Sequence, residues 1–99
     1  MTSAETIYEL LPLGFHNRAH KSDIMAKAGM DDLEFRCACT ILIEKGQALI
    51  FHDDCGKYYI PSTEDEVKEF GMRHPQDLKF QLACYNRSKF GFHQRQVCE

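Results

Sequence analysis

Apolar residues recur at helical spacing through the first 45 positions, then give way to two short β-prone runs and a further helical stretch. Thr2-Ser-Ala-Glu5 reads as a capping box, in which hydroxyl and carboxylate satisfy amides that an opening helix leaves without partners. Ile7, Leu10 and Leu11 supply the apolar face of that first helix, and Pro12 with Gly14 ends it. Phe15 to Ala19 reads as a connecting loop. A second helix, Lys21 to Lys27, turns Ile24, Met25 and Ala28 inward, and Gly29 allows a left-handed turn after it.

Asp31-Asp32-Leu33-Glu34 is another capping box and opens a third helix, which Gly46 stops after Lys45. Phe35, Ala38, Cys39 and Leu42 repeat at i, i+3, i+4 and i+7 and form its buried stripe. At about 100° per residue, Leu33, Arg36, Cys37, Thr40 and Glu44 fall opposite, with Ile41 and Ile43 on the flanks. Ala48–Phe51 and Lys57–Ile60 are β-prone and flank the turn Asp53-Asp54-Cys55-Gly56.

Ser62 to Asp65, after Pro61, reads as the cap of a fourth helix with Val67 and Phe70 inward. His74-Pro75 interrupts it, since proline removes a helical hydrogen bond. The spacing of Phe70, His74, Leu78, Leu82 and Tyr85 carries across the break. It predicts one kinked helix, or two nearly collinear ones, ending near Lys89.

Helix–turn–helix followed by a hairpin is the ground plan of a winged helix. The fold class expected is therefore α+β: a winged helix-turn-helix with a three-helix core, a two-stranded hairpin wing and a long kinked C-terminal helix. Residues 1–75 are the winged-helix domain. Residues 76–99 are a C-terminal helix and tail packed on that domain or on a second copy.

Leu11-Pro-Leu-Gly14, Ser22 to Met30, Glu44-Lys-Gly46 and Gly56-Lys-Tyr-Tyr-Ile-Pro61 before an acidic helix start resemble small winged-helix proteins of phages and prophages. The resemblance covers about residues 7–75, and its most specific part is the Gly-Lys-Tyr-Tyr-Ile-Pro strand. It implies double-stranded DNA as partner and a role in transcription regulation or replication. Such proteins carry several Arg or Lys on the third helix and a Ser/Lys-rich wing. This chain has Arg36 and Lys45 on that helix and Asp53-Asp54 at the wing.

With 43% hydrophobic and 27% charged residues the composition is globular. No apolar run approaches the about 18 residues that span a bilayer, so a cytoplasmic chain with no membrane partner is expected. Five cysteines, an odd count without a signal segment, read as free thiols. Charge is split: residues 1–71 hold 7 Lys/Arg against 13 Asp/Glu, and residues 72–99 hold 5 against 2, giving −6 and +3 for the net −3. DNA contact must therefore come from local basic points.

Those points are Arg18, Lys21, Arg36, Thr40, Lys45 and Lys57. Arg36 is placed for a bidentate pair with guanine and Thr40 lies one turn on. Lys21 opens the second helix, where free amides attract phosphate. The alternative is a protein-interaction adaptor on the same fold, using Leu33, Cys37 and Ile41, because exposed apolar patches mark protein contacts. Phe80, Leu82, Tyr85, Phe90 and Phe92 point to a homodimer through the C-terminal segment, or else to a segment wrapping the first helix.

His52-Asp-Asp-Cys55 and the pair His16 and His20 have ligand-like spacing, but no second pair completes a tetrahedral metal site. No phosphate loop or nucleotide motif appears. A winged helix of this size also has little room for a water-excluding catalytic pocket, so no cofactor and no enzymatic activity are expected.

Overall fold

A computed structural model describes residues 2–98, with side chains described as far as Arg87. It is an α+β chain of five α-helices and a small antiparallel sheet: α1 (Ser3–Leu10), β1 (Ala19–His20), α2 (Lys21–Ala28), α3 (Asp32–Glu44), β2 (Phe51–His52), β3 (Lys57–Tyr59), α4 (Glu64–Arg73) and α5 (Pro75–Cys98). Only the N-cap half of each early capping box forms. Among the described residues neither cap amide donates to the Glu5 or Glu34 carboxylate, and Glu5 instead accepts from the Thr2 hydroxyl at 3.2 Å. Thr2 and Asp31 accept from the amides of Glu5 and Glu34, at 3.2 and 2.8 Å. Gly29 closes α2 in the left-handed region, at φ 68° and ψ 37°. Its amide and that of Met30 then reach back to the last carbonyls of the helix.

These three helices bury Ile7, Leu11, Ile24, Phe35, Ala38, Cys39 and Leu42 together, with Ala48 and Ile50 from the segment after α3. A second cluster of Phe51, Tyr59 and Phe70 joins the hairpin to α4. Its rings are tightly ordered: Phe51 stacks on Phe70 at 4.0 Å, and Tyr59 meets both Phe51 and Phe15 edge-on.

Four further expectations are corrected. The segment read as a loop, Phe15 to Ala19, holds a 3₁₀ turn over Phe15–Asn17 and the start of β1. The sheet therefore has three strands in the order β1-β3-β2, with Ala19 opposite Tyr58 and Phe51 opposite Tyr59. A two-residue strand has no alternation to read, and its partner lies far along the chain.

The strand expected over Ala48–Phe51 is confined to Phe51–His52. The carboxamide of Gln81 takes the place of a neighbouring strand. It accepts from the Ile50 amide and donates to the Ile50 carbonyl, both at 2.9 Å.

The cap of α4 is Thr63, not Ser62, because the Thr63 hydroxyl accepts from the Glu66 amide. Ser62 instead donates its hydroxyl to the Glu66 carboxylate at 2.9 Å.

The C-terminal segment forms two helices separated by His74 (φ −134°, ψ 66°), and the second runs beyond Lys89 to Cys98. The break changes which face packs. Gln81 and Cys84 are buried, Leu78 and Leu82 are half-buried, and Tyr85 is exposed. This helix lies against α3 and α4.

Candidate nucleic-acid interface

The turn at Gly29 sets α3 after α2 so that its apolar stripe faces the core and the opposite side faces solvent. Leu33, Arg36, Cys37 and Thr40 are exposed there, as the spacing predicts, with Leu33 at 67%, and Ile41, expected on the flank, is exposed as well at 41%. Buried Cys39 lies on the inner side, and burial pushes its thiol up to about 12, so it stays protonated at neutral pH.

Asp32 gathers two of the basic residues. Its carboxylate accepts from Lys21 Nζ at 3.2 Å and pairs with Arg36 Nη1 at 3.6 Å, one turn along α3. The Lys21 hydrogen bond, then the charges of Lys21 and Arg36, hold the Asp32 carboxyl below its usual range. The three side chains are exposed or half-exposed, so the network orders them more than it stabilises the fold. Asp32 was legible as an acidic first-turn residue; its service to α2 was not.

His20 caps α2 by accepting from the Ser22 amide through Nδ1 at 3.1 Å. The Lys21 amide donates to the Gly56 carbonyl at 3.0 Å, which ties the start of α2 to the hairpin turn. Lys57 is half-buried at the start of β3, and Lys45 is exposed at the far end of α3.

Arg18 has a different setting. Its Nε donates to Asp53 at 2.8 Å, its Nη1 donates to the Phe15 carbonyl at 3.0 Å, and its guanidinium lies 4.0 Å from the Phe15 ring centroid. Asp53 also accepts from the Cys55 and Lys57 amides, both at 2.9 Å. Burial raises the Asp53 carboxyl, but these amides and Arg18 outweigh it and hold it below the usual range. Of the two carboxylates at the hairpin turn, Asp53 is thus turned into the hairpin and only Asp54 is exposed. Arg18 and Asp53 are 35 residues apart, and no local pattern pairs them.

The histidines with ligand-like spacing do not converge. His16 meets Phe15 edge-on, His20 caps α2, and His52 stacks on His74 at 5.2 Å. In the segment expected to dimerise, Phe80 and Tyr85 are exposed and Leu82 is half-buried. Phe90 and Phe92 lie outside the residues whose side chains are described. Among the described residues, no helix is long and apolar enough to cross a membrane. No known family, curated protein or solved structure matches the chain.

Proposed function

We propose that the chain is a winged-helix protein that binds duplex DNA through α3, in phage or mobile-element transcription or replication. The observation that supports this reading is the element order α1-β1-α2-α3-β2-β3 with sheet order β1-β3-β2, a helix pair followed by a short hairpin. Arg36, steadied by Asp32, is suited to guanine, and the exposed Leu33 to a thymine methyl. Lys21 at the N-terminus of α2 and Lys57 at the base of the hairpin serve phosphates. Thr40 and Lys45 extend the same contact line along α3. Arg18 contributes by holding the wing turn through Asp53.

So few cations give a shallow salt dependence, about 0.9 in log–log slope per phosphate neutralised. The test is selection from a random duplex pool at about 50 mM salt, where counterion release still favours binding. Arg36→Ala should then weaken the selected site by about 1–3 kcal/mol at one base pair. Replacing the thymine under Leu33 by uracil, which removes only the methyl group, should weaken it further. Retention of no duplex, specific or random, ends the DNA reading.

One observation favours a second reading. Leu33, Cys37 and Ile41 form an exposed stripe at i, i+4 and i+8, which a protein partner would use more fully than DNA. For an adaptor, Leu33→Asp abolishes the complex while Arg36→Ala matters little. A homodimer through α5 would use exposed Phe80 and Tyr85, and light scattering that shows only monomer at high concentration removes it.

A further inference from the structure

The aromatic cluster between hairpin and α4 does not fill the space beside it. A cavity of about 470 Å³ opens between the 3₁₀ turn and α4, a volume within the range of small-molecule sites. Phe15, Tyr59 and Phe70 form its apolar walls, and Asp65, Glu66, Glu69 and Arg73 its charged ones.

Tyr59 is only 5% exposed as a whole, but no buried side-chain oxygen lacks a partner among the described residues, so its hydroxyl, which bonds to no protein group, keeps contact with solvent. The residue lines the cavity, where an accessible hydroxyl is open to a visitor. Burial, then the Glu66 charge, push its ionisation above the usual range, so it remains a neutral hydroxyl able to accept or donate.

The charge of the lining selects the visitor. Counting Asp53, it carries four carboxylates against the single guanidinium of Arg73, with His16 and His52 as its histidines. Arg18 neutralises Asp53 from outside the cavity. Glu66 has no cation within ion-pairing distance among the described residues; it accepts from Ser62, Thr63 and the Phe15 amide. Burial raises its carboxyl, but these bonds outweigh it and keep it ionised. Asp65 and Glu69 are exposed at the edge. An anion entering this space meets net negative charge, and a neutral ring gains contact alone. A cation gains attraction to the carboxylates.

We propose that this cavity binds a small organic cation with a flat aromatic body, seated among Phe15, Tyr59 and Phe70, its charged end towards Glu66 and Glu69. The Tyr59 hydroxyl accepts one of its N–H groups. Such a ligand would bridge the 3₁₀ turn and α4, two segments separated by the whole helix–turn–helix and hairpin. This assignment is independent of whether α3 binds DNA.

Three probes of nearly equal shape test it: benzamidine (cation), benzamide (neutral) and benzoate (anion), each titrated into the isotope-labelled full chain and followed by amide NMR shifts. Benzamidine should give saturable shifts at Phe15, Tyr59, Thr63 and Phe70, at least about fivefold tighter than benzamide, with benzoate weakest. The pair Asp65→Asn and Glu69→Gln, both on the exposed side of α4, should weaken benzamidine about threefold or more and leave benzamide unchanged. Tyr59→Phe should weaken benzamidine and benzamide alike, since both offer an N–H. Benzoate binding as tightly as benzamidine, no saturable shift at those amides, or equal losses for benzamidine and benzamide in the acidic-edge variant would each overturn the proposal.

Discussion

Around Ile7, Leu11, Ile24 and Leu42 the packing is almost wholly aliphatic, with Phe35 and small residues between the helices. Around Phe51, Tyr59 and Phe70 it is aromatic, and charge surrounds it: Asp53 with Arg18, Glu66 with the α4 cap, His52 with His74. The first region is held by residues that repeat along three consecutive helices. The second is held by segments brought together from the 3₁₀ turn, the hairpin and both sides of the His74 break. The aliphatic region is therefore the plain source of stability. The aromatic region is where ionisation, cavity and chain path meet, and where changes of condition act first.

Truncation in each region gives the largest contrast. Phe35 is 1% exposed in a closed core, and Phe35→Ala should cost about 4–5 kcal/mol in denaturant unfolding. Phe70→Ala should cost less, about 3 kcal/mol, because its neighbours border an open cavity and can relax or hydrate. The reverse order would break the distinction.

Gln81 is the seam between the two regions and ranks next. Removing its carboxamide leaves the amide and carbonyl of a buried Ile50 without partners, so Gln81→Ala should cost about 2–3 kcal/mol. Exchange of the Ile50 amide with solvent should accelerate in parallel. Unchanged exchange would mean that Gln81 does not substitute for a strand.

A smaller effect belongs to Gly29, on the aliphatic side. A Cβ there meets nothing within 4 Å, so any penalty is that of the left-handed backbone rather than of crowding. Gly29→Val should cost about 1–2 kcal/mol, while Gly29→Asn should cost markedly less. Equal melting temperatures for wild type and Gly29→Val would place the turn elsewhere.

The weakest expected effect is the pH dependence that His52 gives the aromatic side. Burial, then the neighbouring His74, lower the His52 pKa below the usual 6.5, against the opposing charges of Asp77, Asp53 and Asp54. The unfolded chain then takes up this proton before the folded one does. Stability contributed by neutral His52 is present above pH 6.5, falls as pH drops below it, and levels off once the folded imidazole is protonated. Thermal melts across that window should show the slope in wild type and a flatter curve in His52→Asn. A slope of opposite sign would mean that His52 is stabilised as a cation.

The helical half was legible because its signals are local. The N-caps Thr2 and Asp31, the Gly29 turn and the stripe Phe35, Ala38, Cys39 and Leu42 all lie within one or two turns of what they control. The exposed face of α3, the core of the candidate DNA interface, follows from the same spacing. The C-terminal half misled because a break resets the helical phase: Tyr85 belongs to the apolar repeat but points outward, while Gln81 does not and is buried. β1 was invisible because two residues carry no period.

Residue order alone was enough to specify where the first three helices start and stop, which side of α3 is apolar, and which side chains it presents to solvent, since these depend on dihedral preference and short-range hydrogen bonds. Tertiary structure decided the rest. It placed Arg18 on Asp53 rather than in solvent, set Gln81 against Ile50 across 31 residues, and left a cavity beside Tyr59. Each depends on surfaces that meet only after the chain has closed, and the energy of such a meeting is set by distance and burial, which no spacing along the sequence encodes.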